Sequence, residues 1–226
     1  RVLDVYLTEA ALERHSEIWD EAVAAGLYVH VTTQQVMDAM SSDAQGLLAV
    51  VATEEATGSE ALTAALEGAT LVAVLTQAQD PGNAGTIIRA ADAAGADAVV
   101  LVRGSVDPTA PKVVRSTAGS LFHLPVVTGV ALDDAVTALH NAGLTVLAAD
   151  GRGDVDLFEA ESLLEAPSAW LLGNEAHGLP SEALSRADAV VSIPIYGKAE
   201  SLNVAAAAAV CLYASARAQG QNSSRS

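Results

Sequence analysis

Cysteine occurs once in the 226 residues, at Cys211. One thiol cannot build a disulfide framework within a chain, and such usage suits a reducing compartment, so the cytoplasm is expected. Cys211 lies in an alanine-rich stretch, where a buried, inert thiol is expected rather than a nucleophile. Aromatics make up only 4% of the chain, which excludes a core built on large rings. No apolar run approaches the roughly 18–20 residues of a membrane span, so no membrane is expected as a partner. The opening RVLDVYLTEAALERHSEIWD lacks the layout of a signal peptide. It begins with Arg rather than Met, so the native start is expected upstream. Cations are scarce: 11 Lys and Arg face 28 Asp and Glu, for a net charge of −17. That balance excludes broad nonspecific binding to nucleic acid. There is no G-x-G-x-x-G, no P-loop and no H-E-x-x-H. The five histidines show no ligand spacing, and no metal is expected.

What is present is small and apolar. Hydrophobic residues are 51% of the chain, many of them alanine, which favours helices packed closely on a sheet. The charge is uneven. Residues 1–70 carry 2 basic and 12 acidic side chains, and residues 71–226 carry 9 and 16. Any polyanion must therefore meet a local patch in the second part.

The first part reads as a helix over TEAALERHSEIWDEAVAAG ending at Gly26, then a strand at LYVHV. A helix at TTQQVMDAM follows, opened by Thr32 and Gln35 in capping-box spacing, and then a strand at GLLAVVA. The acidic stretch around TEEATGSEALTAALEG reads as a linker. The boundaries expected are 1–55 for a first domain, 56–69 for the linker, 70–218 for a second domain and 219–226 for a disordered tail. In the second domain, strands are expected at TLVAVLT, DAVVLV, HLPVV, LTVLAAD, AWLLG and AVVSIPI. Helices are expected around 84–94, 112–118, 131–142, 181–186 and 202–217. Continuous apolar strands alternating with helices give a parallel α/β sheet covered on both faces.

In such sheets ligands sit beyond the carboxyl ends of the strands. The loops there read QAQDPGNAGTIIRAAD, ADGRGD, LLGNEAHGLP and IPIYGKAESLN. In the first, Asn83 can cap the helix that follows. Arg89 stands on an otherwise apolar helix, either snorkelling to the surface or aimed at an anion. Gly173 and Gly178 let backbone approach a ligand or simply make a turn. The last loop places Tyr196, Lys198, Glu200, Ser201 and Asn203 directly before an alanine-rich helix.

Three motifs in order, NAGTIIRAADAAG, LLGNEAHGL and IPIYGKAESLNVAAA, resemble the SpoU (TrmH-like) family of RNA ribose methyltransferases within the SPOUT superfamily. KVVRSTAGSLFHLPVV is similar to the segment this family carries between its first two motifs. The resemblance covers about 70–217. It implies an α/β domain with a parallel sheet and a C-terminal trefoil knot. Residues 1–52 resemble the latter part of a small α/β RNA-binding domain related to ribosomal protein L30e, truncated at its start. The resemblance further implies S-adenosylmethionine as cofactor, RNA as substrate with rRNA favoured over tRNA, and a homodimer.

The resemblance assigns roles as well. Arg89, Asn83, Glu175, Ser201 and Asn203 would form the catalytic set. Ala149, Gly151, Leu172, Gly173, Asn174, Ile193, Ile195, Ser201 and Leu202 would hold the cofactor, largely through main chain. Arg89, Lys112, Arg115 and Arg152 would meet RNA. His177 departs from the arginine common at its place in the family, which blurs substrate choice more than chemistry. Other readings are a tRNA 2′-O-methyltransferase, a non-catalytic RNA-binding relative, a base methyltransferase of the wider superfamily, and a nucleotide-dependent oxidoreductase. The N-x-G-x-x-x-R motif favours ribose. The missing glycine fingerprint disfavours the oxidoreductase.

Overall fold

The computed structural model divides into two units, 1–54 and 55–226. It describes residues 1–52, 56–174 and 178–220. The first unit runs β1 (Val2–Thr8), α1 (Glu9–Arg14), α2 (Ser16–Ala24), β2 (Tyr28–Thr32), α3 (Gln34–Met40) and β3 (Leu47–Val51). Its three strands lie in the order β2-β1-β3, with β1 parallel to β2 and antiparallel to β3. Val5, Leu7, Ala11 and Ala22 form its core.

Two local expectations change here. The single helix expected over 8–26 breaks at His15, whose φ of −136° is not helical. The capping residue of α3 is Thr33, whose hydroxyl accepts from the Val36 N–H at 3.3 Å. Thr32 is unavailable for that role because it is the last residue of β2, paired with Thr8.

The second unit opens with α4 (Gly58–Ala65), inside the stretch 56–69 that reads as linker. Leu62 and Leu66, one helical turn apart, are buried in the core, and the Thr128 N–H donates to the Ala56 carbonyl at 2.9 Å. This stretch is therefore part of the folded unit. Two buried leucines suffice to hold a helix whose other side is polar.

The chain continues through β4 (Leu71–Leu75), α5 (Pro81–Ala94), β5 (Ala98–Val102) and α6 (Pro111–Ser116), then a 3-10 turn at Ser120–Phe122. Next come β6 (Val126–Val130), α7 (Leu132–Asn141), β7 (Thr145–Ala149), β8 (Val155–Asp156) and α8 (Glu161–Leu164). It ends with β9 (Ser168–Leu172), α9 (Ser181–Arg186), β10 (Ala189–Ser192) and α10 (Val204–Ala218). The seven strands form one sheet in the order β6-β5-β4-β9-β7-β10-β8. Every pairing in it is parallel.

Both faces of the sheet are covered, as the apolar strands require. Successive residues of β4 serve opposite layers: Leu71, Ala73 and Leu75 join the core beneath α5 and α10, while Val72 and Val74 join the core beneath α4 and α7. The alanines of α10 let it lie close on the sheet and against α5, with Ala205, Ala208, Leu212 and Ala216 buried. The one large ring in this core, Trp170, donates its indole N–H to the Ser215 hydroxyl at 2.9 Å, so no polar atom of the pair is left unpaired. Burial of Cys211 on α10 pushes its thiol up to about 12. Among the described residues no helix is long and apolar enough to cross a membrane. The stretch 221–226, most of the expected tail, lies outside the described residues.

Candidate functional site

Strands β4, β9, β7 and β10 are consecutive neighbours in the sheet. The four glycine- and proline-containing loops of the sequence leave their carboxyl ends and so meet at one edge. The first loop leads into α5. Asp80, not Asn83, is the residue that caps it: its side chain accepts from the Asn83 N–H at 2.8 Å, and Pro81 occupies the first turn, where a missing N–H costs nothing. Asn83 thus stands inside the helix with its side chain available for another purpose.

That purpose is a bond across loops. Asn203 donates from Nδ2 to Asn83 Oδ1 at 3.1 Å. Its other side-chain atom, Oδ1, accepts from the Ala205 and Ala206 N–H groups and so caps α10. One residue therefore closes the end of α10 and ties the loop after β10 to the start of α5. Asn174 does the same between β9 and β4, donating from Nδ2 to the Gln77 carbonyl at 3.0 Å. Gln77 itself has a φ of 56°, in the left-handed region that non-glycine residues seldom adopt.

Between these loops lies a cleft of about 460 Å³. Ala149, Gly151, Gly173, Asn174, Ile193, Ile195, Ser201 and Leu202 line it, and so does Asn203. Of the cofactor residues expected from the sequence, only Leu172 is elsewhere. It is the last residue of β9 and is buried, and its carbonyl accepts from both the N–H and the hydroxyl of Thr76, each at 2.9 Å. In the strand register it pairs with Leu75 of β4, while the pairing of β9 with β7 stops at Leu171.

The cleft also has walls outside the expected site set: Asp150, Val191, Val204 and Ala207, together with Gly178 and Glu200, which the sequence marks only as loop residues. Most adjoin residues that were singled out. Val204 and Ala207 follow from helical spacing after Asn203, since positions three and four apart share a face. Asp150 has no such signal. Its carboxylate is engaged by Arg152 through Nε at 2.8 Å and Nη2 at 2.9 Å, and the guanidinium beside it holds the carboxyl below its usual range.

The cations expected to meet RNA divide into two groups. Arg152 is spent on Asp150. Arg89, Lys112 and Arg115 are exposed on α5 and α6, outside the cleft lining. Arg89 follows Asn83 by six residues, about 9 Å along the helix axis, and is turned to a different side. Its side chain makes no hydrogen bond or ion pair with any described residue. The helices are held close by Gly85: a Cβ there would meet the Ser116 hydroxyl and come within 2.7 Å of the Val113 carbonyl. The glycine of the N-x-G-x-x-x-R motif thus lets α6 dock against α5. Glu175 and His177 lie outside the described residues.

Residues 70–213 match the model of the SpoU rRNA Methylase family. The chain is 42% identical over 145 residues to the 23S rRNA (guanosine(2553)-2'-O)-methyltransferase RlmP of Bacillus subtilis, a match covering 63% of this chain and 56% of that protein. It is 41% identical over 142 residues to the 23S rRNA (uridine(2479)-2'-O)-methyltransferase of Streptomyces viridochromogenes, covering 61% of this chain and 49% of the relative. The chain thus spans about half the length of these two curated relatives. Among solved structures, the SpoU methyltransferase AviRb of Streptomyces viridochromogenes in complex with the cofactor AdoMet superposes with a TM-score of 0.83. The identity is 28%, over 98% of this chain and 84% of that one. Cleft, loops and motifs coincide with the matched region, and the chain belongs to the SpoU rRNA methylase family.

Proposed function

We propose that this chain transfers the methyl group of S-adenosylmethionine to a ribose 2′-hydroxyl of RNA, with rRNA as the substrate. The observation that carries the reading is the lining of the cleft. Two carboxylates, Asp150 and Glu200, face it, and among the described residues no Lys or Arg does. The first N–H groups of α10, the donors a phosphate would use, are taken by Asn203. Such a cleft offers no cation to a dinucleotide's phosphates, and with Asp150 paired to Arg152 it leaves Glu200 to meet a sulfonium or an ammonium. Its volume falls in the roughly 300–1,000 Å³ range of small-molecule sites. Apolar Ala149, Val191, Ile193 and Leu202 offer walls for a purine. A Cβ at Gly151 would meet no protein atom within 4 Å, so the missing side chain leaves open space beside the cleft.

The cofactor supplies a methyl group already activated by its positively charged sulfur. Main-chain groups of Gly173, Ile193, Ser201 and Leu202 would hold its adenine and methionine parts, with Gly151 beside its ribose. The Asn83–Asn203 bond fixes the floor between α5 and α10. Arg89 would anchor the target phosphate and stabilise charge developing on the 2′-oxygen. It is a poor general base, because a guanidinium keeps its proton up to a pH above about 12. Lys112 and Arg115 would add positive charge for RNA on the same pair of helices.

The same reading extends to architecture. The C-terminal segment would be threaded as the trefoil knot of this family, an exception to the rule against threaded loops. Residues 1–52 would be an L30e-like domain that selects the RNA, and the protein would act in the cytoplasm as a homodimer. The outward side of α10, with Val210 and Tyr213, suits packing against a second copy. Ala208 is fully buried within its own chain, so a variant there would test the core and not the dimer.

The test is mass mapping of 2′-O-methyl groups in rRNA and tRNA from cells with and without the gene. Loss of one rRNA methyl group is expected. Loss from tRNA alone would move the substrate class, and no change in either RNA would sink the reading.

A further inference from the structure

Asp150 opens the loop after β7, a turn closed by the Gly153 N–H donating to the Asp150 carbonyl at 3.0 Å. Its own N–H donates to the Val191 carbonyl of β10 at 3.1 Å. The carboxylate is nearly enclosed, with 9% of the side chain exposed. Oδ1 accepts from the Arg152 N–H at 3.0 Å and from Arg152 Nε at 2.8 Å, and Oδ2 accepts from Nη2 at 2.9 Å. The carboxylate also lies against a second loop: a Cβ on Gly178 would stand 3.7 Å from Oδ2, and the Leu179 N–H on that side helps to lower the carboxyl.

Leu179 belongs to a different loop. It follows Gly178, which pairs backbone to backbone with Asn174 at 2.8 and 3.0 Å. That pair lies so close to Gly173 that a Cβ there would stand 2.5 Å from the Gly178 carbonyl carbon and 2.6 Å from the Leu179 nitrogen. One carboxylate therefore lies packed between the exits of β7 and β9. Gly151, Gly173 and Gly178, all on the cleft wall, come from those two loops. A carboxylate has about four lone-pair sites, and here Arg152 alone supplies three donors. Little of it is left for a ligand, although the residue lines the cleft.

We infer that Asp150 is a positioning residue of the cleft, setting the spacing of the loops after β7 and β9, with Arg152 as its counter-ion and not as an anchor for RNA. This rests on the reading of the cleft as the S-adenosylmethionine site. Arg152 is bound in a fork-to-fork pair, which fixes geometry as well as charge. The pair stays ionised across the neutral range, because the guanidinium lowers the carboxyl further.

The experiment is calorimetric titration of S-adenosylmethionine, alongside binding of transcribed rRNA without cofactor. It uses the parent, Asp150→Asn, Arg152→Ala and the double variant, with thermal melts to confirm folding. Asp150→Asn should weaken cofactor binding at least about ten-fold, the scale of a lost hydrogen bond to a charged group. Arg152→Ala should weaken it in the same direction by about two- to five-fold, because that side chain is open to solvent. The double variant should be no worse than Asp150→Asn, since the two act as one unit. Saturating cofactor should restore the transfer rate of Asp150→Asn, leaving the change in KM. RNA affinity should stay within about two-fold throughout. Cofactor affinity of folded Asp150→Asn within about two-fold of the parent would overturn the inference. So would additive effects, or an Arg152→Ala protein that loses RNA affinity alone. Should the parent itself not bind the cofactor, the reading of the cleft fails, and this inference with it.

Discussion

In the cleft, Asn174 and Asn203 each bond to a loop other than their own, and Asp150 is locked by Arg152 within its turn. On α5, Arg89 bonds to no described residue, and on α6 the Lys112 side chain stands equally alone. The two regions differ in what their polar groups are for. The cleft uses them to hold four loops at fixed distances, so its ligand meets a pre-shaped wall and pays little ordering cost. On the α5–α6 surface Arg89 and Lys112 are held by no described residue, and such groups gain their energy only when an anion arrives. Cofactor binding and transfer to RNA should therefore respond to separate mutations.

The largest separation is expected at Arg89. Arg89→Ala should slow single-turnover methyl transfer on the order of 100- to 1,000-fold, the usual cost of removing one donor to a developing oxyanion. Its affinity for S-adenosylmethionine should stay within a few-fold of the parent. Arg89→Lys keeps the charge without the planar fork and should recover only part of the rate. Near-normal transfer by Arg89→Ala would return this residue to a snorkelling arginine and break the contrast.

The opposite pattern is expected at Gly173. A side chain there strikes the backbone of Gly178 and Leu179 and so must push one cleft loop aside. Gly173→Val should weaken cofactor binding by at least about ten-fold. It should also destabilise the fold by roughly 1–3 kcal/mol, the range for forced overpacking. Calorimetry and thermal melts read the two effects separately. An unchanged affinity would mean that the cleft wall is not pre-shaped.

These two residues also mark how far the sequence was legible. The apolar runs of β4, β5, β7 and β9 leave little choice of structure, because a continuous run of that length is buried on both faces. The four loops could be found because parallel strands put their ligands at one end. What could not be read was who bonds to whom. Asn83 and Asn203 are 120 residues apart, and nothing local says that they meet. Asp150 and Arg152 are two apart, yet their pairing depends on a turn closed by Gly153. The α3 cap shifted because strand pairing claims Thr32, and the α5 cap because Pro81 starts that helix before Asn83. The acidic stretch around α4 hid a helix, since its large buried side chains are only Leu62 and Leu66, with the small Ala61 and Ala65 beside them. The short β8 and α8 escaped for the same reason, having too few residues to show a period.

Smaller effects sharpen the comparison. Asn203→Ala removes the α10 cap and the tie to Asn83, and should cost about 1 kcal/mol from the cap alone. For a chain of this size that is roughly 2–4 °C in Tm, readable by calorimetric melting. A Tm unchanged within error would show that the tie to α5 carries no stability. The smallest effect is expected at Cys211. With its thiol pushed up to about 12, it should not react with a thiol reagent at pH 8 in the folded protein and should react fully after unfolding. Rapid labelling of the native protein would mean that the α10 layer opens.

The contrast rests on the cleft being a site for a cationic adenosyl ligand, and one measurement bears on that most directly. S-adenosylmethionine and NAD are titrated in parallel into the full chain by calorimetry, without added metal. The account predicts that S-adenosylmethionine binds at one per chain and that NAD gives no heat of binding. No binding of S-adenosylmethionine at millimolar concentration, or equal binding of NAD, would contradict it.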